Sequence, residues 1–259
     1  MTGKPRVAIT RPLVQAQEMV DMVRRLGGVP LCYPLIQIVP ARTQDFLAAL
    51  REPVDALVFT SVNGVESFIA GRQEAGMVSP PPPAYCVGAA TGQAAVRAGL
   101  TVRAIPGVAA ASHMRGVLEK EYGSPGRVLL VQGREAGTAL QDDLSAHGWQ
   151  VVAAIGYETQ ATPQAHACVL AVRRGEIDAL TFASGSAVRA FYRAWIHGQA
   201  QPSCMLQESV LVASIGPKTT EVLRRLGIEP QVTSVTASGH ALIEALFAYW
   251  AAKDTPFTV

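Results

Sequence analysis

Small polar and basic residues fall in six groups along this chain: Thr10 and Arg11; Thr60, Ser61 and Asn63; Gly88 and Thr91; Gln132, Gly133 and Arg134; Ser184, Gly185 and Ser186; and Gly216, Lys218 and Thr219. Each group follows a short apolar run, and several stand where a helix would open. Helix N-termini leave N–H donors without intrahelical partners and carry a partial positive charge, so six such turns facing one cleft would trap several carboxylates. The ligand expected from them is a polyanion. Taken singly, Ser, Thr and Gly in these places serve as caps and tight turns. Their recurrence as a paired set is what favours binding.

Other chemistries lack their residues. Thr10-Arg11-Pro12-Leu13 follows the first apolar run, where a nucleotide-binding α/β protein would carry G-x-G-x-x-G or G-x-x-x-x-G-K-[ST]. No G-x-S-x-G elbow is present. His113, His147, His166, His197 and His240 have neither metal nor triad spacing and read as surface or helix residues. Cys32, Cys86, Cys168 and Cys204 are far apart and form no C-x-x-C, so reduced core thiols are expected. No metal and no cofactor are expected, and the charged residues offer no evident general base.

The elements that must position the polar groups are strands and helices in alternation. Val7 to Ile9, Ala56 to Phe59, Tyr85 to Val87, Val128 to Val131, Ala179 to Phe182 and Val210 to Ile215 read as buried strands. Helical patterns ending in Gly follow most of them, as in Gln15 to Leu26 before Gly27 and Gly92 to Ala98 before Gly99. This predicts an α/β fold with parallel sheets, and ligands bind at the carboxyl ends of strands in such sheets.

The chain also repeats itself. Asp55-Ala56-Leu57-Val58-Phe59-Thr60-Ser61 returns as Asp178-Ala179-Leu180-Thr181-Phe182-Ala183-Ser184, an offset of 123 residues. Val87-Gly88-x-x-Thr91 with Gly99 returns as Ile215-Gly216-x-x-Thr219 with Gly227, and the Thr and later Gly pairs are each offset by 128. Arg6-Val7 with Gly27 returns as Arg127-Val128 with Gly148 at an offset of 121. Three ordered blocks imply two similar lobes. Tyr33 to Pro40 and Ile155 to Pro163 are β-prone, Pro-bounded segments at matching points and suit extended crossovers. Ser79 followed by Pro80 to Pro83 suits a surface connection.

With 259 residues, 49% of them apolar, and a net charge of +2, the chain can bury full cores and shows no charge block for nucleic acid or an anionic membrane. The segment before Thr10 is too short for a signal h-region or a span, so a cytoplasmic protein is expected. Nothing suggests an obligate dimer, and a monomer is the expectation.

Over nearly its whole length the chain resembles uroporphyrinogen-III synthases. The resemblance rests on Ile9-Thr10-Arg11-Pro12, Phe59-Thr60-Ser61-x-Asn63-Gly64-Val65, Val87-Gly88-x-x-Thr91, Gly156-Tyr157-x-Thr159, Phe182-x-Ser184-x-Ser186-Ala187-Val188 and Ile215-Gly216-Pro217-x-Thr219. No single piece decides it; order, spacing and the two crossovers together do. It implies two flavodoxin-like lobes, each a three-layer parallel sheet, joined by a two-stranded β linker and exchanging their first β-α units. Residues 1–35 with 161–259 would form one lobe and 40–155 the other, with crossovers at about 36–39 and 156–160.

The resemblance further implies a lyase of haem and other tetrapyrrole (porphyrin) biosynthesis that closes hydroxymethylbilane to uroporphyrinogen III, inverting ring D, with no cofactor. Hand-over of that substrate from the preceding deaminase would fit. The matching tyrosine, Tyr157, is the candidate to assist departure of the substrate hydroxyl; a phenol is a protonated donor at neutral pH. Packing over the hinge is the alternative role for it. Thr91 and Thr219 match positions that hold substrate carboxylates, Ser61, Ser184 and Gly133 fall in similar turns, and Arg11, Arg134 and Lys218 could pair carboxylates. Two rival readings stay open on the same residues, a two-lobe sensor closing on an anion and a homologue that binds tetrapyrroles without turnover.

Overall fold

The computed structural model describes residues 4–104, 113–197 and 210–254. In chain order it contains β1 (Arg6–Ile9), α1 (Leu13–Arg25), β2 (Val29–Cys32), β3 (Ile36–Pro40), α2 (Gln44–Arg51), β4 (Ala56–Phe59), α3 (Val62–Glu74), β5 (Ala84–Cys86), α4 (Ala89–Arg97) and β6 (Val102–Ala104). Then follow α5 (Met114–Tyr122), β7 (Arg127–Gly133), α6 (Ala139–Ala146), β8 (Gln150–Ala161), α7 (Gln164–Arg173), β9 (Ala179–Phe182), α8 (Gly185–Ile196), β10 (Leu211–Ser214), α9 (Pro217–Arg225), β11 (Val232–Thr233) and α10 (Gly239–Asp254).

Two compact units result, Met1–Gln37 with Gln160–Val259, and Ile38–Thr159. The first holds a five-stranded sheet in the order β2-β1-β9-β10-β11. The second holds a six-stranded sheet in the order β3-β8-β7-β4-β5-β6. Strands β8-β7-β4-β5-β6 repeat the first sheet's order, with β3 added at the edge, and both follow the flavodoxin-like order 2-1-3-4-5. The exchange is plain in this order. The N-terminal β1-α1-β2 completes a sheet with β9 to β11, and β7-α6-β8 completes the sheet of β4 to β6, as the resemblance implied. The chain passes between units in β3 and in β8, which are neighbours in the second sheet.

The helices form because their apolar positions recur at helical spacing. Ala16, Met19, Val20 and Val23 of α1 lie on one buried stripe. That stripe packs with Leu242, Ile243, Leu246 and Trp250 of α10 on one face of the first sheet. The other face is covered by α7, α8 and α9 through Cys168, Val172, Val188, Phe191 and Leu223. In the second unit Phe46, Phe68 and Ala95 of α2, α3 and α4 cover one face, and Met114, Leu118 and Leu144 of α5 and α6 cover the other. Strands β4 and β9 are buried at every residue, as strands covered on both faces must be.

The residues that marked the repeat pin the exchanged strands. The backbone N–H of Arg6 in β1 donates to the Asp178 carboxylate just before β9 (2.7 Å), and Asp178 N–H returns a bond to Arg6 carbonyl (2.9 Å). In the second unit Arg127 N–H of β7 donates to Asp55 (2.7 Å), and Asp55 N–H to Arg127 carbonyl (2.8 Å). The side chains then differ. Arg6 adds Nε and Nη2 bonds to the same carboxylate, at 3.0 and 2.8 Å, whereas Arg127 turns its guanidinium to Glu52. Hydrogen bonding from Arg6 holds the Asp178 carboxyl below the usual carboxylate range.

Cys86 and Cys168 are buried, and burial pushes their thiols up to about 11 and about 12. Cys32 departs from the expectation of a core thiol: it ends the edge strand β2 and is exposed. Cys204 lies outside the described residues.

Candidate functional site

In the second unit the chain leaves β4 at Phe59 and turns through Thr60 and Ser61 into α3. Ser61 is extended (φ −155°, ψ 156°), and its Oγ accepts the N–H of Gly64 at 3.1 Å, a standard N-cap. Asn63 sits half-buried in the first turn of the same helix. Gly64 cannot be larger, since a Cβ there would lie 2.8 Å from the carbonyl oxygen of Val131 in β7. Farther along the sheet edge Gly88 precedes α4 with φ 87° and ψ 152°, a conformation open to glycine almost alone. Thr91 follows in the first turn, 5% exposed, with no partner for its hydroxyl among the described residues.

The third strand end supplies the closest contact. Strands β7 and β8 run parallel in register up to Gln132 opposite Ile155, and then the register slips so that Gly133 faces Tyr157. Gly156 is the extra residue of this bulge, a device that re-aims neighbouring side chains. Gly156 is also sterically required, because a Cβ would come within 2.8 Å of Ser67 Cβ and 3.1 Å of Val131 Cγ1. Tyr157 lays its ring on Gly133, where an added Cβ would lie 2.7 and 2.8 Å from ring carbons and 3.1 Å from the phenol oxygen. Its phenol is hydrogen-bonded to Ser61 Oγ at 2.9 Å. Ser61, Gly133 and Tyr157, singled out from three separate segments, are therefore one constellation.

Arg134, next along, donates its N–H to Tyr157 carbonyl at 2.9 Å and its Nε to Glu158. The guanidinium expected to be available for a ligand carboxylate thus already holds one from its own chain, and it remains half-exposed. Glu158 was not anticipated. Its position beside Tyr157 in the crossover was the available signal.

The first unit repeats this frame with changes. Ser184 is extended (φ −161°, ψ 153°) and caps α8 by accepting Ala187 N–H at 3.2 Å. Ser186 is half-buried and accepts from Arg189 Nη2 at 3.2 Å. Gly216 leads into α9 with Pro217 at its first position and with extended backbone (φ 162°), so it is not held by conformation as Gly88 is. Thr219 is 5% exposed, and its hydroxyl has no partner among the described residues. Lys218 is exposed.

Thr10 must be removed from the candidate set. Its side chain is fully buried and donates to Thr181 carbonyl at 2.7 Å, while Thr181 donates to Ala8 carbonyl at 2.8 Å, so both hydroxyls stitch β1 to β9. Arg11 stays. It makes no ion pair among the described residues, only a 3.3 Å contact to Gln15 Oε1, and burial lowers its guanidinium pKa with Glu18 as the opposing influence. No group of three or more His, Cys, Asp or Glu among the described residues is placed to hold a metal ion. None of the described helices is long and apolar enough to cross a membrane.

Each unit therefore carries its own set of helix starts at the carboxyl ends of its strands, one of them capped by Ser61 or by Ser184, and the second unit adds an oriented phenol. Residues 17–244 match the family described as uroporphyrinogen-III synthase HemD. A protein of Methanothermobacter thermautotrophicus, provisionally named a uroporphyrinogen-III synthase, is 27% identical over 93% of this chain and 96% of its own. The uroporphyrinogen-III synthase of Chlorobaculum parvum is 22% identical over 93% and 97%. Among solved structures, a mutant uroporphyrinogen III synthase of Thermus thermophilus superposes with a TM-score of 0.69 at 22% identity, covering 96% of this chain and all of that one. That likeness shows the fold, and the family match, spanning most of the sequence, shows the membership: the chain belongs to the uroporphyrinogen-III synthase family.

Proposed function

We propose that this protein closes hydroxymethylbilane to uroporphyrinogen III with inversion of ring D, as a lyase that needs no cofactor. The observation that carries the reading is the phenol of Tyr157, held between the Gly133 seat and the Ser61 hydroxyl at the strand ends where α/β proteins bind ligands. The substrate carries eight carboxylates. Thr91 and Thr219 hold them with their hydroxyls and neighbouring amides, the turns at Thr60 to Asn63, Gly88, Ser184 to Ser186 and Gly216 add N–H donors, and Arg11 and Lys218 add charge. Arg134 takes part only by leaving Glu158.

Chemistry begins when the Tyr157 O–H gives its proton to the departing hydroxyl of the bilane, so that water leaves and an azafulvenium cation remains. The substituted carbon of ring D attacks it to form a spiro intermediate, which fragments and recombines at the free carbon of ring D. The proton released as that ring regains aromaticity balances the one the phenol gave. Spontaneous closure yields the symmetric isomer, so the protein's main contribution is to hold the folded conformer that leads to the other product. We place the protein in the cytoplasm as a monomer, receiving the bilane from the deaminase that makes it.

The test is an assay in which hydroxymethylbilane is generated in place, with no added cofactor, and the oxidised products are separated by isomer. A dominant type III product is expected. Type I alone, as in the blank, would end this reading and leave a tetrapyrrole-binding or sensing role.

A further inference from the structure

We propose that Ser61 is a positioning residue for Tyr157, fixing which way the phenol proton points, rather than a simple cap or a carboxylate ligand; this rests on the acid role given to Tyr157 above. Ser61 Oγ is held from two sides, accepting Gly64 N–H at 3.1 Å and lying 2.9 Å from the Tyr157 oxygen. A serine hydroxyl has one proton and two lone pairs. With one lone pair occupied by the first turn of α3, two arrangements remain: the phenol donates to Ser61, or Ser61 donates to the phenol. Only the second frees the phenol proton for a leaving group.

In that arrangement donors line up as Gly64 N–H to Ser61 Oγ and Ser61 O–H to Tyr157 oxygen. The helix start polarises the serine, and the serine O–H meets the negative charge that grows on the phenol oxygen as its proton departs. The proton travels from Tyr157 to the leaving hydroxyl, while Ser61 keeps its own. The ring cannot slide to break this chain inward, because it rests against Gly133.

The duplicated frame provides an internal comparison. Ser184 has nearly the same backbone angles and caps α8 in the same way at 3.2 Å, yet no tyrosine reaches its hydroxyl among the described residues. Capping alone therefore does not account for the phenol contact at Ser61.

A double-mutant cycle in the isomer assay tests this. Ser61→Ala is expected to lower kcat about 10- to 100-fold, less than the roughly 100- to 1000-fold of a donor lost from an oxyanion hole because Ser61 acts only through the phenol, with KM changed less than about twofold. Ser61→Thr, which keeps cap and hydroxyl, should restore most of it. In a Tyr157→Phe background Ser61→Ala should cost nothing further, since the group it serves is gone. Thr43→Ala, which loses an equivalent cap on α2 (Phe46 N–H to Thr43 Oγ1, 3.1 Å), should keep wild-type kcat and so separate cap loss from the proposed role. A second arm needs no turnover: with 13Cζ-labelled tyrosine, the Tyr157 resonance of the resting protein should move on Ser61→Ala and stay on Ser61→Thr.

Additive losses in the cycle, a KM rise in place of a kcat fall, or an unmoved Tyr157 resonance would each overturn the proposal. Wild-type turnover in Tyr157→Phe would overturn it together with the acid role, while type III product from the unaltered protein would leave the synthase reading standing.

Discussion

Replacing Gly133 with Ala should separate stability from turnover. The new Cβ would lie 2.7 Å from the Tyr157 ring, where ordinary contact begins near 3.4 Å, so the ring must retreat by about 0.7 Å at its nearest carbon. What gives way is the far end of a tyrosine side chain and not backbone. The cost to the fold is thus at the low end of the roughly 1–3 kcal/mol typical of overpacking. The phenol is less tolerant: its contact to Ser61 spans only 2.9 Å, and the same retreat can carry it past hydrogen-bonding range. A displacement of about 1 Å in a positioned catalytic group costs about 100-fold, so kcat should fall roughly 10- to 100-fold, about 1.4–2.7 kcal/mol in barrier. Initial rates of type III formation with generated substrate, beside thermal melts of the same preparation, give both quantities. A Gly133→Ala protein that turns over within twofold of wild type would falsify the seat as a functional device. One whose rate falls only in step with its folded fraction would reduce it to packing.

Three further outcomes follow from other parts of the structure. Gly88→Ala places a side chain at φ 87°, ψ 152° and should cost about 1–3 kcal/mol, whereas Gly216→Ala, at an extended φ of 162°, should cost clearly less; comparative melts decide it. Asp178 has its native pKa lowered by Arg6, so the folded state binds fewer protons there than the unfolded chain does. Its stabilisation is therefore present above about pH 4 and fades as pH falls through the depressed native value. Asp178→Asn should be less stable than wild type at neutral pH and converge with it in acid, which urea melts across that range would show. Arg11→Gln should raise KM several-fold and leave kcat and the melting temperature nearly unchanged; an unaltered KM would count against Arg11 as a carboxylate ligand.

The sequence made the buried strands legible because β1, β4, β7, β9 and β10 are apolar runs covered on both faces. It hid β2, β6 and β11. The first of these is a part-exposed edge strand with Pro30 inside it, and the others span three and two residues, too short for any period to register. The helix-opening turns were legible from Ser61, Ser184, Gly88 and Gly216, since the chemistry of a helix start is local. What each hydroxyl meets is not local. Thr10 and Thr91 look alike as polar residues after a strand, yet one is consumed by the neighbouring strand and the other has no partner for its hydroxyl among the described residues. The partnership of Tyr157 with Ser61 spans 96 residues and depends on the one-residue slip at Gly156, which no pattern of residue types announces. The pairing of Arg134 with Glu158 was hidden for the same reason: it arises only once β7 and β8 lie side by side.

The exchange of opening strands also governs how this chain can be made. The bond from Arg6 to Asp178 closes a span of 172 residues, and the one from Arg127 to Asp55 a span of 72. During synthesis the first β-α unit must wait, its apolar stripe uncovered, until β9 has left the ribosome, because the sheet it belongs to does not yet exist. The middle unit can close much earlier. Long-range pairing of this kind slows folding and leaves sheet edges open to wrong partners in the interval. Cutting the gene at its point of internal symmetry would not yield two autonomous halves but two incomplete ones, each carrying the strand the other lacks.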